Sequence, residues 1–112
     1  MLKAITTTAH QNYGIFPTFP KGVPVQIKGD DQEAQDWYPC DIQGHEAYVY
    51  KYLLDEQNCL LIDYNPTELD IDANMPLDVL GVYGAWLYVQ DEQQAKKGWI
   101  PAEKVTTFNV DR

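Results

Sequence analysis

Apolar and polar residues alternate along several short stretches of this chain. Val23, Val25 and Ile27 fall on one face of an extended segment, and Leu77 and Val79 repeat the pattern later in the chain. A period of two is typical of β-strands that bury one face and expose the other. The pattern therefore predicts short strands in both halves of the chain.

Turn-forming residues separate these stretches at short intervals. The chain contains seven Pro and seven Gly. Residues 46–61 contain neither, yet their apolar residues do not recur at i, i+3, i+4 and i+7 as a helix requires. Short strands with frequent Gly and Pro are typical of all-β barrels and sandwiches. The expected fold class is all-β, with at most one short helical turn near residues 101–104.

An internal repeat indicates that the two halves are related. The segment 19–29 (FPKGVPVQIKG) aligns with 71–81 (IDANMPLDVLG) at an offset of 52 residues. Trp37 then aligns with Trp86 at an offset of 49. Because insertions are tolerated in turns, the small change in offset is compatible with a structural repeat.

The repeat predicts two tandem small barrels, 1–56 and 57–112, joined through the short polar stretch DEQN. A barrel of about 55 residues buries only about 60% of the surface that its unfolded chain exposes, so each is marginal alone. We therefore expect the barrels to pack together and to unfold together.

The charge balance restricts the partners. The chain has 17 acidic and 8 basic residues, a net charge of −9 and a pI of about 4.4. Nucleic-acid binding needs clustered Lys and Arg, so neither nucleic acid nor an anionic membrane is an expected partner. A basic or neutral protein or peptide is compatible with this charge.

No pattern indicates catalysis, a metal or a cofactor. Cys40 and Cys59 are too few for the disulfide framework of a small secreted domain, so both are predicted to be reduced. No His and Cys spacing matches a metal site, and no nucleophile motif or phosphate loop occurs. The chain lacks a signal-peptide pattern and any run of about 20 apolar residues. The sequence therefore predicts a soluble, cytoplasmic, non-enzymatic protein without a cofactor.

Five motifs in the second half occur in a recognisable order. LLIDY, ELDI, MPLDVL, AWLYV and GWIPAEKV lie within residues 60–105. They resemble the ALYDY opening, the diverging turn, the next strand, the tryptophan-led strand and the GYIPSNYV close of a Src-homology 3 (SH3) domain. Residues 4–54 resemble the looser bacterial SH3-like pattern. The resemblance implies two tandem, partly open, five-stranded SH3-like barrels that bind peptide, often Pro-rich, in an aromatic groove.

The resemblance also implies a peptide-binding groove on the second barrel. Its four residues are Tyr64, Glu68, Trp86 and Pro101. Trp86 matches the groove tryptophan, and Glu68 matches the acid that pairs with an Arg beside a Pro-rich ligand. Ile62 and Lys104 stand where the family has two further aromatic rings. The implied groove is therefore incomplete.

Two functions remain open at this point. The first is a peptide- or protein-binding module, whose partner is Pro-rich or basic. The second is a small acidic inhibitor or immunity-type protein that caps a basic partner, an interpretation based on small size and negative charge. Trp86 could also pack against the other barrel instead of a ligand, whereas Trp99 is expected in the core.

Overall fold

The computed structural model describes residues 1–29 and 35–110, and these form two antiparallel sheets. The three-stranded sheet contains β2 (Gln26–Ile27), β3 (Trp37–Ile42) and β4 (His45–Tyr50). The five-stranded sheet contains β1 (Leu2–Thr6), β5 (Pro76–Tyr83), β6 (Trp86–Asp91), β7 (Lys97–Pro101) and β8 (Val105–Asn109).

The described ranges contain no α-helix and only two 3₁₀ turns, Lys51–Leu53 and Ala102–Lys104. The all-β prediction is therefore confirmed. The second turn lies where a short helical turn was expected, whereas the first was not predicted. Within the same ranges, no helix has the length and apolar character that crossing a membrane requires.

The chain divides into two compact units, and one of them is discontinuous in sequence. The split unit combines residues 1–15 with 67–112, and the middle unit is residues 16–66. The repeat predicted continuous halves, 1–56 and 57–112. The difference arises because β1 lies between β5 and β8 in the order β7-β6-β5-β1-β8, so the N-terminal strand completes the sheet of the C-terminal half.

The core of the split unit combines buried side chains of this sheet with two from the segment that precedes β5. The core residues are Ala4, Leu69, Ile71, Leu77, Leu87, Val89 and Ile100. Trp99 on β7 is buried, as predicted, and its ring packs against the rings of Tyr83 and Tyr88, with both centroid distances 5.0 Å. On the opposite face of β1, the Lys3 ammonium bridges Asp78 and Glu92.

The middle unit is a three-stranded meander closed by short bridges. Isolated β-bridges pair Phe19 with Tyr64, and Pro24 with Cys59. The LLIDY stretch thus lies in this unit, where Leu60 donates its backbone N–H to the carbonyl of Val23. The resemblance had implied that LLIDY opens the sheet of the second half. The opening strand of the five-stranded sheet is instead β1.

The internal repeat corresponds to a meander in each unit. Strands β2-β3-β4 and β5-β6-β7 are both antiparallel, and in both the second strand begins with a Trp. Trp37 lies opposite Tyr50, and Trp86 lies opposite Pro101. A 3₁₀ turn follows each meander. The repeat therefore identified equivalent strands even though the units that contain them have other boundaries.

Candidate functional site

Trp86 and Pro101 form a partly exposed apolar surface on the split unit. Trp86 begins β6 and Pro101 ends β7, and the two are cross-strand partners. Side chains at directly opposite positions lie about 4.5–5.5 Å apart at Cβ and contact each other. The ladder continues beyond them, since the N–H of Ala102 donates to the carbonyl of Ala85 at 2.8 Å. The ring and the proline are therefore held together by regular sheet geometry.

Glu68 reaches this region through a segment that runs along the edge of β7. Its neighbour Leu69 donates its N–H to the carbonyl of Trp99 at 2.8 Å, and the Trp99 N–H donates to the carbonyl of Thr67. This close approach requires Gly98, because a Cβ there would lie 2.8 Å from the Leu69 nitrogen. Leu69 is buried, whereas the Glu68 side chain remains 27% exposed.

His10 is buried between Trp86 and Glu68. Its backbone N–H and carbonyl both bond to Ile71, at 2.9 Å each, which fixes the segment after β1. Only 4% of the residue is exposed. Its ring packs nearly perpendicular to that of Trp86, with ring centroids 6.1 Å apart and planes at 77°. This edge-to-face arrangement is favourable for aromatic pairs and restrains the indole.

The two nitrogens of His10 bind opposite charges. Lys104, in the 3₁₀ turn after Pro101, has its Nζ 2.8 Å from Nδ1, and Oε1 of Glu68 lies 2.6 Å from Nε2. An ammonium can only donate hydrogen bonds, so Nδ1 must accept from Lys104. Nε2 then carries the ring proton and donates it to Glu68. The imidazole is therefore neutral, and it separates a cation from an anion.

A backbone hydrogen bond also joins the Lys104 turn to the segment that carries His10. The carbonyl of Lys104 accepts the N–H of Thr7 at 2.8 Å. The segment between Thr7 and His10 is thus held by hydrogen bonds at both of its ends. We call His10, Glu68, Trp86, Pro101 and Lys104 the Trp86 cluster.

Nothing matches the chain among protein-family models, curated proteins or solved structures. Evidence about its function therefore comes from its own residues. Among the described residues, no group of three or more His, Cys, Asp or Glu side chains is placed to hold a metal ion.

Three of the four residues that the resemblance implied lie together in the Trp86 cluster, namely Glu68, Trp86 and Pro101. Tyr64 belongs to the middle unit, where it is only 3% exposed and donates its hydroxyl to the carbonyl of Tyr48 at 2.5 Å. The expectation of a surface ring there is not met, because LLIDY pairs with residues 19–23. A buried phenol with its hydroxyl bonded supports the core and does not present a face to a ligand.

Sequence reasoning missed the part that His10 plays. His10 lies 58 residues from Glu68 and 94 residues from Lys104. No spacing along the chain could indicate that the three meet, since their proximity depends on how β1 pairs in the sheet. The sequence distinguishes Lys104 only as a residue that differs from the aromatic ring of the SH3 pattern.

The middle unit carries an open cavity of about 480 Å³. Tyr38, Tyr52 and Ile27 supply its apolar lining, and Lys51 and Asp55 are at its wall. The Lys51 ammonium lies 5.2 Å from the centre of the Tyr52 ring, so a cation already covers that face.

Proposed function

We propose that this chain is a non-enzymatic protein- or peptide-binding module built from two SH3-like units, and that it binds its ligand at the Trp86 cluster. The observation that carries the proposal is a partly exposed indole beside Pro101, with the carboxylate of Glu68 at the rim. The five-stranded antiparallel sheet with a 3₁₀ turn before its last strand supports the SH3-like assignment of the split unit.

The surface suits an extended apolar segment. A polyproline segment is already extended and has no internal hydrogen bonds, so it loses little conformational entropy when it binds a flat aromatic ring. Trp86 offers such a ring, and Pro101 extends the apolar contact. With Tyr64 buried elsewhere, one aromatic ring remains of the groove that the resemblance implied. We therefore expect weak binding, with a Kd nearer to the millimolar than the nanomolar range.

The hydrogen bonds of His10 support a binding role over a catalytic one. Both ring nitrogens are engaged by protein groups, and the side chain is 5% exposed. A general base needs a nitrogen within hydrogen-bond reach of the proton it removes. To act as one, His10 would have to leave Lys104 or Glu68 first, and it is therefore better suited to hold its neighbours in place.

A second candidate function rests on the distribution of charge. The middle unit contains nine of the 17 acidic residues but only three of the eight basic residues. An excess of acidic residues favours association with a basic protein, as expected for a small inhibitor or immunity-type protein. Under this alternative, binding depends on the middle unit and weakens steeply as salt rises.

Titration of the ¹⁵N-labelled protein with a pool of Pro- and Arg-containing peptides tests the first function. We expect shifts of the Trp86 indole and of amides near Pro101, and their loss in Trp86→Ala. Phe108→Ala, which removes another partly exposed ring from the split unit, is the matched control and should keep the shifts. A titration that leaves the Trp86 indole unmoved at low and high salt would overturn the peptide-binding proposal.

The same samples separate the two functions. Binding of an apolar surface persists at about 0.5 M salt, where the Debye length is below about 5 Å. If instead a basic protein binds with an association rate that collapses over this range, and Trp86→Ala does not affect it, the inhibitor function is favoured.

A further inference from the structure

The Trp86 cluster contains two charges that the protein leaves incompletely paired. Lys104 has three ammonium donors and uses one on Nδ1 of His10. Glu68 accepts a bond at Oε1 and has a second oxygen. Within residues 1–29 and 35–110, neither side chain has another hydrogen bond or ion pair. Both groups therefore keep capacity for a ligand.

The two charges do not neutralise each other. No ion pair within 4.0 Å joins Lys104 to Glu68 in the described part of the chain, because the ring of His10 lies between them. Lys3 of the same unit provides the contrast, since its ammonium lies 2.7 Å from Asp78 and 3.1 Å from Glu92. The charge of Lys3 is satisfied within the protein, whereas that of Lys104 is bonded only to a neutral ring.

The position of Lys104 decides which ligands can use this charge. It lies in the turn directly after Pro101, and His10, whose Nδ1 it contacts, packs against the ring of Trp86. Glu68 meets the other nitrogen of the same ring. A ligand segment on the indole would therefore lie near a cation and an anion at once. Lys104 is also partly buried, and a charge in such a place interacts more strongly than one in bulk water.

We propose that the ligand of the Trp86 cluster is a peptide with a carboxylate beside its apolar contact, and that Lys104 binds this carboxylate while Glu68 binds a basic side chain of the same peptide. This inference rests on the proposed function and specifies its ligand. Lys104, which stands where the SH3 pattern has a tyrosine, is then a specificity-determining residue, because a purely basic Pro-rich peptide offers its ammonium no anionic partner.

Three peptides with the same Pro-Ala-Pro centre test this proposal. The first has Arg before the centre, Asp after it and an amidated C-terminus. The second has Asn in place of Asp. The third is the Asn peptide with a free C-terminal carboxylate. Each is titrated into ¹⁵N-labelled wild type, and Kd is obtained from the shift of the Trp86 indole.

We expect the change from Asp to Asn to weaken binding to the wild type about fivefold, as for a partly exposed charge-assisted hydrogen bond. Lys104→Gln should bind the two peptides equally. Lys97→Gln, which removes an exposed charge from β7, should keep the difference. Equal binding of the two peptides by the wild type, or a difference that survives in Lys104→Gln, would overturn the proposal.

The third peptide tests whether a chain-end carboxylate can replace that of Asp, and a second variant tests whether the substitution of Lys104 affects the fold. Recovery of affinity by the third peptide would support recognition of a chain end through the same Lys104 chemistry. Lys104→Met, which keeps an apolar stem and removes the donors, should behave like Lys104→Gln if both melt as the wild type does. A failure of the proposed function gives a different result: none of the three peptides shifts the signal of the Trp86 indole.

Discussion

Thr6 provides a sharp test of how the N-terminal strand is used. The residue is fully buried on β1. Its hydroxyl donates to the carbonyl of Asp72 at 2.7 Å and accepts the N–H of Met75 at 2.8 Å. Its backbone bonds, from its N–H to the Met75 carbonyl and from Asn74 to its own carbonyl, do not involve the side chain. Thr6→Val therefore removes two hydrogen bonds while keeping the shape and the strand.

The expected loss follows from the groups left behind. A buried polar group without a partner costs about 1–3 kcal/mol. The Met75 amide is partly buried and bears most of this cost, whereas Asp72 is exposed, so water can reach its carbonyl more easily. We expect Thr6→Val to lower the free energy of unfolding by about 2–3 kcal/mol. A domain of this size has only about 5–15 kcal/mol in total, so the effect is large.

Urea unfolding followed by Trp fluorescence measures this loss, with a slope that should match the wild type. Thr106→Val is the matched control, since Thr106 lies opposite Ile5 but is exposed on β8. It should change stability by no more than about 0.5 kcal/mol. If both variants have the same small effect, residues 72–75 do not depend on the hydroxyl of Thr6, and the reasoning from its two hydrogen bonds is refuted.

Four further predictions concern three side chains. Burial raises the pKa of Cys40 from 9.0 to about 12, so a thiol reagent at pH 8 should modify Cys59 alone in the folded protein; modification of both at equal rates would contradict this. In the unfolded chain the Cys40 thiol ionises at a lower pH than in the folded protein. The free energy of unfolding should therefore fall as pH rises from about 9 to about 12, and this fall should be smaller in Cys40→Ala. Long-range ¹H–¹⁵N spectra should show the ring proton of His10 on Nε2, and a proton on Nδ1 would rule out the Lys104 bond. Tyr64→Phe should cost about 1 kcal/mol through the lost hydroxyl bond, and unchanged urea stability would show that this bond contributes nothing.

Much of the local structure could be predicted from the sequence. Alternation at Ile27 and Leu77 marks strands because a side chain on an extended backbone meets the core at every second residue. The repeat identified the equivalent Trp-led strands, and Trp99 proved to be core. These features depend on periodicity over a few residues, and periodicity is visible without any knowledge of the partner strand.

The pairing of β1 could be decided only by the tertiary structure. The stretch LKAIT does not even alternate apolar with polar residues, because Ile5 is exposed while Thr6 is buried, and nothing in it indicates which strands lie beside it. Its place between β5 and β8 moves the boundary between the units. The pairing of β1 also places His10 beside Glu68 and Lys104, although these residues are far apart in the sequence. The strands were thus local properties of the sequence, whereas the candidate site exists only because distant strands pair in one register.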